Sequence, residues 1–435
     1  MNVPMNGGIM DMKILDIYSG KDGRFEIEGI TAEDIVEKYG TPVYVYSESR
    51  IRDNYRRLYD SLTDRYEKVN LYFSAKSNTN ISILRILKDE GARVDTVSVG
   101  EIYLAKEAGF DADEILFTGM NLRDDELDSL LESGVRINVN SLSMLDRVLE
   151  KKIPELISFR VNLQKGGGAH RHLITAGKDS KFGVLESKII DAYKKALESG
   201  VKRFGIHTHI GSGMLKTDHH RQAAEKIVDI AGRIHEELGI EFEFIDIGGG
   251  IGIPYTPDES EMDLEKFSRD VLGIFKDKLA EHELGKPYFC MEPGRYIMGD
   301  AGIILTEVNA LKDTVNKRLI GVDAGLHTLI RPAMYDAYHP IAHTKKMYGN
   351  EDELEEYDVM GPLCESSDFL GKERKLPKVE EGDLLAILNA GAYGFTMTSN
   401  YNSKLRPPEV LVNRGEDTLI REAESMKDLE RKQSF

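Results

Sequence analysis

Lys76 is the first residue of this sequence whose type and setting suggest chemistry. It follows the apolar run 71–73 in the segment LYFSAKSNTN. Such a run is typical of a buried strand, and an ammonium group at its end is costly to remove from water unless another group uses it. A lysine amine that is partly removed from water is a good nucleophile toward carbonyl groups. Lys76 is therefore a candidate nucleophile, with a simple counter-charge to a bound anion as the alternative.

Two glycine-rich segments favour an anion site. GGGIG (248–252) and HIGSG (209–213) each follow an apolar, β-type run. Glycines after a strand let backbone N–H groups approach an anion closely, and late barrel strands are where such folds bind phosphate. Either segment alone also fits an ordinary turn. The two together, one of them with the Ser212 hydroxyl, favour a phosphate site.

A nucleophilic lysine beside a phosphate site suggests pyridoxal phosphate as cofactor. In that interpretation Lys76 forms a Schiff base with the cofactor. Glu292, at the end of the run PYFCME, supplies a carboxylate to the pyridine nitrogen and keeps it protonated, so that the ring acts as an electron sink. His209 stacks on the ring face, with a structural histidine as the alternative.

A second group of candidates comes from loop-like segments. Cys364 in GPLCESSD is flanked by Gly, Pro and Ser, and both a catalytic thiol and a small buried hydrophobe stay open for it. Arg295 in EPGR and Arg331 in RPAMY lie in Pro-containing segments, which suits rigid bidentate capture of a carboxylate. GAYGF places the Tyr393 hydroxyl between glycines.

These residues need a scaffold that brings them together. From residue 71 onward, short apolar runs alternate with amphipathic helical stretches. The predicted strands are LYFSA (71–75), ARVDTVS (92–98), EILFTG (114–119), RINVN (136–140), LISFRVN (156–162), RFGIHTHI (203–210), FEFIDI (242–247) and PYFCME (287–292). Eight such alternations predict a (β/α)8 barrel, an α/β fold. Chemistry in these barrels occurs at the C-terminal strand ends, where the unusual residues fall: Lys76, Ser98, Arg160, His207, His209, GGGIG and Glu292.

The rest of the chain predicts a second, β-rich domain. After about residue 300, strand-like runs follow one another without intervening helices: GIILTEVNALK, KRLIGVD, DLLAILNAG, EVLVNRG and TLIREAE. DIYSGKDGRFEIEG and TPVYVYSE, near the N-terminus, are also strand-like and are expected to join them. We therefore expect N-terminal strands over 1–45, a cofactor-binding barrel over 46–300 and a β-rich domain over 301–435.

Composition narrows the functional classes. The 435 residues carry a net charge of −18, which argues against nucleic acid or an anionic membrane surface as partner. No apolar run approaches the roughly 18 residues of a membrane span. The start, MNVPMNGGIMDMK, lacks the pattern of a signal peptide, so a cytoplasmic protein is expected. The two cysteines, Cys290 and Cys364, show no metal-ligand spacing, and no metal site is predicted.

Nine strings in family order resemble the fold-type III pyridoxal-phosphate decarboxylases, which share the alanine racemase-like fold, and within them the diaminopimelate decarboxylases. The resemblance covers about 40–412. The strings are AKSN, DTVSVGE, KFG, HTHIGS, IDIGGGIGIPY, EPGR, RPAMYDAYHPI, GPLCESSD and GAYGF. A single string of this kind would be weak, but nine in order are a specific signal.

The resemblance implies a role for each candidate residue. Lys76 carries the cofactor, His209 lies against its ring and Glu292 pairs with the pyridine nitrogen. The implied phosphate ligands are Ser212, Gly249, Gly250, Pro293, Gly294 and Arg295. Arg295, Arg331 and Tyr335 hold the distal carboxylate of the substrate, Glu365 holds its distal ammonium, and Tyr393 touches both cofactor and substrate. Cys364 is the acid that protonates the carbanion left after carbon dioxide departs.

The resemblance also implies an activity and an assembly. The activity is decarboxylation of meso-2,6-diaminopimelate to L-lysine by an obligate homodimer whose active sites are shared between subunits. Ornithine decarboxylases typically have Asp after the cysteine and lack the arginine of RPxxY, so Glu365 and Arg331 favour diaminopimelate. The alternatives are a sister decarboxylase for another basic or D-amino acid (ornithine, lysine or arginine), a racemase of the same fold, and a non-catalytic relative.

Overall fold

The computed structural model describes residues 14–20, 23–164, 177, 180–347 and 353–434. The chain divides into two compact units. The barrel unit comprises Arg52–Ile253 and Glu261–Tyr296, and the β-rich unit comprises Met1–Ile51, Pro254–Ser260 and Ile297–Phe435. The predicted boundaries at 46 and 300 lie within a few residues of two of these divisions. The segment 254–260, expected in the barrel, clusters with the β-rich unit.

The N-terminal elements precede the barrel in the chain. They are α1 (Ile14–Ile17), β1 (Glu26–Ile27), β2 (Ile30–Thr31), α2 (Ala32–Tyr39), β3 (Val43–Ser47) and α3 (Glu48–Thr63). Thr31 caps α2 by accepting a hydrogen bond from the Asp34 N–H, as N-cap residues do. The start of the predicted strand-like segment DIYSGKDGRFEIEG is instead the last part of α1. Ile14 and Leu15 of this helix are buried in the core of the β-rich unit.

The barrel strands follow the predicted order. They are β4 (Val69–Ser74), β5 (Arg93–Thr96), β6 (Ile115–Phe117), β7 (Arg136–Val139), β8 (Leu156–Asn162), β9 (Val184–Leu185), β10 (Arg203–His207), β11 (Phe242–Asp246) and β12 (Tyr288–Met291). All pair in parallel, and β10 pairs with both β8 and β11, which closes eight strands into a barrel with β9 as a short addition beside β8. The predicted (β/α)8 barrel is confirmed.

Helices connect the barrel strands. They are α4 (Ile81–Asp89), α5 (Val99–Glu107), α6 (Asp124–Ser133), α7 (Leu142–Lys151), α8 (Glu186–Glu198), α9 (Asp218–Leu238) and α10 (Leu264–Glu281). The short α11 (Arg295–Met298) follows the last barrel strand, β12. Asn80, Ser98 and Ser141 begin α4, α5 and α7 by accepting backbone N–H groups. Gly134 and Gly239 end α6 and α9 in the left-handed conformation that glycine adopts without strain. These caps fix the residues at which the helices begin and end.

The β-rich unit continues the chain. Its elements are β13 (Gly302–Asp313), β14 (Arg318–Val322), α12 (Arg331–Tyr335), β15 (Ile341–His343), β16 (Leu354–Met360), β17 (Phe369–Pro377), β18 (Leu384–Ile387), β19 (Glu409–Asn413), β20 (Glu416–Arg421) and α13 (Met426–Glu430). The sheet runs in the order β17-β16-β14-β13-β3-β19-β20, and β18 pairs with β13 and β15. β3 therefore pairs with β13 and β19.

The β-rich domain is confirmed, but one detail predicted for it was wrong and three of its strands were not predicted. The strand-like runs do not follow one another without helices, because α12 lies between β14 and β15. Pro332 lies in the first turn of α12, where its fixed φ favours a helix. Sequence reading also missed β15, β16 and β17. β17 is an edge strand with the exposed charged residues Lys372, Glu373 and Lys375, and charges of this kind protect edges while hiding the strand pattern.

Among the residues that the structure describes, no helix is both long enough and apolar enough to cross a bilayer.

Candidate active site on the barrel rim

Lys76 lies just beyond strand β4, in a single 3-10 turn, Ala75–Ser77. Its ammonium pairs with the carboxylate of Asp95 on the neighbouring strand β5, and its side chain keeps 33% of its exposure while Asp95 is fully buried. Asp95 also accepts hydrogen bonds from the Thr118 hydroxyl at 2.6 Å and the Ser74 hydroxyl at 3.3 Å. Burial and the charge of Glu292 raise the pKa of Asp95, against the lowering effect of Lys76.

Glu292 follows strand β12, which pairs with β4. It is 4% exposed. Its Oε1 lies 3.0 Å from His207 Nε2, and its Oε2 lies 3.9 Å from His209 Nδ1. Burial alone would raise the pKa of Glu292, but the charge and hydrogen bond of His207 and the charge of Lys76 outweigh it and hold the pKa below its ordinary value. Glu292 is therefore an ionised carboxylate on the rim.

His209 lies two residues beyond the end of strand β10, rather than at the strand end that was predicted. Its Nδ1 accepts the Gly249 N–H at 3.1 Å. An imidazole nitrogen that accepts a hydrogen bond carries no proton, so the ring is the neutral Nε2–H tautomer. Burial, then the charge of Arg160, lowers the pKa of His209 well below its ordinary value, which agrees with this assignment. The guanidinium of Arg160 itself stacks on Phe182 at 4.5 Å.

The two glycine loops lie side by side. Met214 and Ile251 form a parallel bridge, and the Met214 N–H donates to the Gly250 carbonyl at 2.9 Å. A Cβ on Gly249 would collide with the carbonyl oxygen of Glu292, and a Cβ on Gly252 would lie 2.8 Å from the Gly213 carbonyl carbon. Only glycine permits this close approach of the two backbones.

Arg295 borders these loops. Its Nε and a terminal nitrogen both donate to the Ser212 hydroxyl at 3.3 Å. Pro293 and Gly294 precede it, and a Cβ on Gly294 would lie 2.9 Å from Ser74 Cβ. Arg295 thus contacts a residue predicted to bind phosphate. Its second predicted role, on the distal carboxylate of the substrate, stays a prediction.

Ser98, a rim candidate in the sequence, has a structural explanation. Its hydroxyl accepts the Glu101 N–H at 3.1 Å and begins α5. This is the ordinary work of an N-cap serine.

Apart from Arg295, the predicted substrate residues lie in the β-rich unit. Arg331 is buried and begins α12, with its Nε donating to His339 Nε2 at 3.3 Å. His339 Nδ1 lies 2.9 Å from the Leu388 carbonyl and donates to it. The guanidinium lies over the rings of Tyr255, at 5.4 Å, and Tyr335, at 5.9 Å. Arg331 and Tyr335 are therefore neighbours, as a joint clamp requires.

Cys364 and Glu365 are exposed residues of the loop between β16 and β17. The Cys364 N–H donates to Asn402 Oδ1 at 3.1 Å. Cys364 is therefore not the small buried hydrophobe that was the alternative interpretation for it. The buried cysteine is Cys290, which packs in the barrel core. Burial raises the pKa of the Cys290 thiol well above its ordinary value. Tyr393 is half-buried with a positive φ of 56°, which is uncommon for a tyrosine and is a strained backbone state that functional sites often hold.

Comparison with known proteins decides the family. Residues 49–299 match the family model described as "Pyridoxal-dependent decarboxylase, pyridoxal binding domain". A diaminopimelate decarboxylase from Methanothermobacter thermautotrophicus is 50% identical over 420 residues, covering 96% of this chain and 97% of the relative. The chain belongs to the diaminopimelate decarboxylase family. Another relative of that name, from Archaeoglobus fulgidus, is 40% identical over 96% of this chain and 98% of its own.

A solved structure supports the same family. The crystal structure of the Methanocaldococcus relative, titled diaminopimelate decarboxylase from m. jannaschii in co-complex with L-lysine, has a TM-score of 0.88 and 35% identity. The match covers 95% of this chain and 97% of that one. Members of the family are pyridoxal-phosphate-dependent carboxy-lyases.

The rim residues fit the family cofactor by their chemistry. Lys76 offers an amine, Glu292 is the ionised carboxylate that a protonated pyridine nitrogen needs, and Ser212 and Arg295 offer donors to a phosphate beside the glycine loops. His209 is neutral, so it presents a flat ring rather than a charge. These four kinds of group are what the cofactor's aldehyde, pyridine nitrogen, ring and phosphate require.

Two residues close to this site, Asp95 and Asp246, were not found from the sequence, and His207 was a rim candidate to which no role was assigned. Asp95, His207 and Asp246 are all fully buried and contact or lie beside the rim residues. Each is a polar residue near the C-terminal end of a predicted apolar strand. A buried polar group needs a partner, so this position in the strand pattern is the signal that could have found them.

Proposed function

We propose that this chain removes one carboxyl group from meso-2,6-diaminopimelate and yields L-lysine and carbon dioxide, with pyridoxal phosphate as its cofactor. The observation that carries the proposal is the rim arrangement of Lys76 and an ionised Glu292 on the paired strands β4 and β12, in a chain of the diaminopimelate decarboxylase family. The reaction is the last step of lysine synthesis.

The barrel residues hold the cofactor. When bound, pyridoxal phosphate supplies the electron sink that accepts the pair of electrons left by the departing carboxylate. Lys76 would hold it through the side-chain amine. Glu292 would hold a proton at the ring nitrogen, and the neutral His209 ring would pack against the cofactor. Ser212, Gly249, Gly250, Pro293, Gly294 and Arg295 bind the phosphate.

Residues of the β-rich unit, together with Arg295 of the barrel unit, bind the distal end of the substrate. Meso-diaminopimelate carries an amino-acid group at both ends, so its distal end needs an anion partner and a cation partner together. Arg331, Arg295 and Tyr335 bind the distal carboxylate, and Glu365 binds the distal ammonium. Arg331 is buried next to Tyr335, which supports a rigid clamp. Tyr393 contacts cofactor and substrate.

Cys364 donates a proton to the carbon from which carbon dioxide has left. An exposed thiol is poorly placed to do so unless another surface covers it, because water would compete for the carbanion. We therefore place Cys364 in the active site of a partner subunit, in an obligate homodimer with shared sites. The protein is expected to act in the cytoplasm.

A substrate panel tests the proposal. Purified holoenzyme is incubated separately with meso-diaminopimelate, D-lysine, ornithine and arginine, and carbon dioxide and the amine product are measured, with Lys76→Ala protein as the blank. We expect release of carbon dioxide and equimolar L-lysine from diaminopimelate only. Faster turnover of ornithine or arginine would instead identify a sister decarboxylase, and exchange of the α-hydrogen without carbon dioxide would identify a racemase.

A further inference from the structure

Three buried polar side chains lie side by side beneath the rim. In the parallel ladder His207 pairs with Asp246 and Asp246 pairs with Cys290, two residues before Glu292. His207 and Asp246 are fully buried and Glu292 is 4% exposed. Ligand atoms of the three side chains all lie within 4.8 Å of one another. The cofactor interpretation gives a role to Glu292 alone.

The direction of the His207–Glu292 hydrogen bond follows from charge. His207 Nε2 and Glu292 Oε1 are 3.0 Å apart. An ionised carboxylate only accepts hydrogen bonds, so His207 Nε2 carries the proton and donates it. In the described ranges, no other side chain makes a hydrogen bond to this carboxylate. His209 Nδ1, at 3.9 Å from Oε2, accepts the Gly249 N–H and so has no proton to give.

Asp246 does not compete for this bond. Its Oδ1 accepts the Gly248 N–H at 2.7 Å, and its Oδ2 is buried without a hydrogen-bond partner among the described atoms. Burial and the nearby charge of Glu292 raise the pKa of Asp246 well above its ordinary value. Two neighbouring buried carboxyl groups rarely both ionise. The negative charge of the cluster therefore lies on Glu292.

We propose that His207 is a positioning residue for the reaction. By donating to Oε1 it holds the Glu292 carboxylate in one orientation and keeps it ionised, so that Oε2 stays available to the ring nitrogen of the cofactor. His207 itself touches neither cofactor nor substrate. This inference rests on the proposed cofactor chemistry, and it assigns a residue that acts through Glu292.

The matched pair His207→Gln and His207→Asn tests the role. The amide nitrogen of Gln reaches the place of Nε2, whereas that of Asn reaches only the place of Nδ1, and both side chains are polar and smaller than or similar to His. We expect His207→Gln to keep kcat within about 3-fold of wild type. We expect His207→Asn to lose about 10- to 100-fold in kcat with KM nearly unchanged, as for other groups that orient an essential ligand.

A spectroscopic readout separates positioning from folding. Holoenzyme loaded with cofactor that carries nitrogen-15 in its ring is titrated with pH, and the midpoint of the ring-nitrogen NMR shift reports the proton on the cofactor ring. A less ionised Glu292 holds that proton less well, so the midpoint should fall by about one pH unit in His207→Asn and stay in place in His207→Gln. The other ionisable groups that face the pair, Asp95, Lys76, Asp246, His209 and Arg160, are unchanged in both variants.

A double-mutant cycle with Glu292→Gln completes the test. If His207 acts through Glu292, His207→Asn should cost little further activity in the Glu292→Gln background. Equal losses in both backgrounds, or equal losses for the Gln and Asn variants, would overturn the inference. Should His207→Asn protein fail to fold, a loss of activity or a shifted midpoint in His207→Gln would overturn it as well. Wild-type protein that binds cofactor but leaves diaminopimelate untouched would refute the proposed function, while the pH titration would still judge His207.

Discussion

The barrel rim and the loops of the β-rich unit hold their candidate residues in different ways. On the rim, Asp95 and Glu292 are buried and bonded to Lys76 and His207. In the β-rich unit, Cys364 and Glu365 are exposed, and the buried Arg331 is the exception. Burial strengthens the effect of each neighbouring charge, which is how Glu292 is kept ionised inside the protein.

This difference divides the candidate site into rim residues whose charges are set by buried contacts within one chain and loop residues that are exposed. The rim has its charges set by contacts within a single barrel, so cofactor binding should depend on barrel residues, with Tyr393 of the β-rich unit as the one proposed addition. The Cys364 thiol lies in an exposed loop, where burial does not strengthen the effect of neighbouring charges. We interpret the Cys364 loop as the part of the catalytic machinery that requires a second subunit to cover it.

Substitution of the two lysines at opposite ends of strand β4 should give the largest difference in activity. Lys76 follows the strand and Lys68 precedes it, where the Lys68 ammonium donates to the Lys286 carbonyl at 3.0 Å. Lys76→Ala should lower kcat by at least about 10³-fold, because a covalent attachment point is lost. Lys68→Ala should retain wild-type activity. Borohydride treatment followed by peptide mapping should find the cofactor on Lys76, and a label on any other lysine would refute its assignment.

Arg331 tests whether the β-rich unit reads the substrate. Arg331→Ala should lower kcat/KM for diaminopimelate by about 30-fold to a few thousand-fold, since truncating one partner of a buried charge pair costs about 2–5 kcal/mol. The cofactor spectrum should not change. Arg318, an exposed arginine of the same unit bonded to Glu355 at 2.7 Å, provides the control variant Arg318→Ala. Unchanged kcat/KM in Arg331→Ala would show that this arginine does not bind substrate.

Mixed dimers test whether the two regions act across a subunit interface. Lys76→Ala and Cys364→Ala proteins should each have low activity, and equal mixing with random reassortment should restore about a quarter of the wild-type value. In a mixed dimer both lesions fall in one site and the other site is whole. Cys364→Ala alone should bind cofactor normally, because proton donation is a separate step. Absence of rescue would place the thiol in its own chain's site, and near-normal activity of Cys364→Ala would make it structural.

Of these substitutions, Ser98→Ala should have the smallest effect, because Ser98 stabilises the barrel and takes no part in the chemistry at its rim. Ser98→Ala should lower the free energy of unfolding by about 1 kcal/mol through loss of the α5 cap, with kcat and KM unchanged. Ser141, which caps α7 through the Met144 N–H at 3.1 Å, is the matched control and should behave in the same way. Both effects are measured by denaturant unfolding. A loss of activity with Ser98→Ala alone would return this serine to the active site.

Sequence by itself determined the barrel and the places of Lys76, Glu292 and the glycine loops. The alternation of apolar runs and amphipathic helices is local, and a parallel barrel puts the ends of all its strands at one rim. Any unusual residue at a strand end is therefore located without knowledge of its partners. The same local reading failed for β15, β16 and β17, where short length or the charges of an edge strand conceal the pattern.

Only the tertiary structure decided which buried groups set the charge of that rim. His207 and Glu292 are 85 residues apart in the chain, and Lys76 and Asp95 are 19 apart. Their contacts depend on the register between strands and on closure of the barrel through β8 and β10. Sequence periodicity tells which residues face inward, but the protonation state of a buried group depends on the charges within a few ångströms, and those distances exist only in the folded chain.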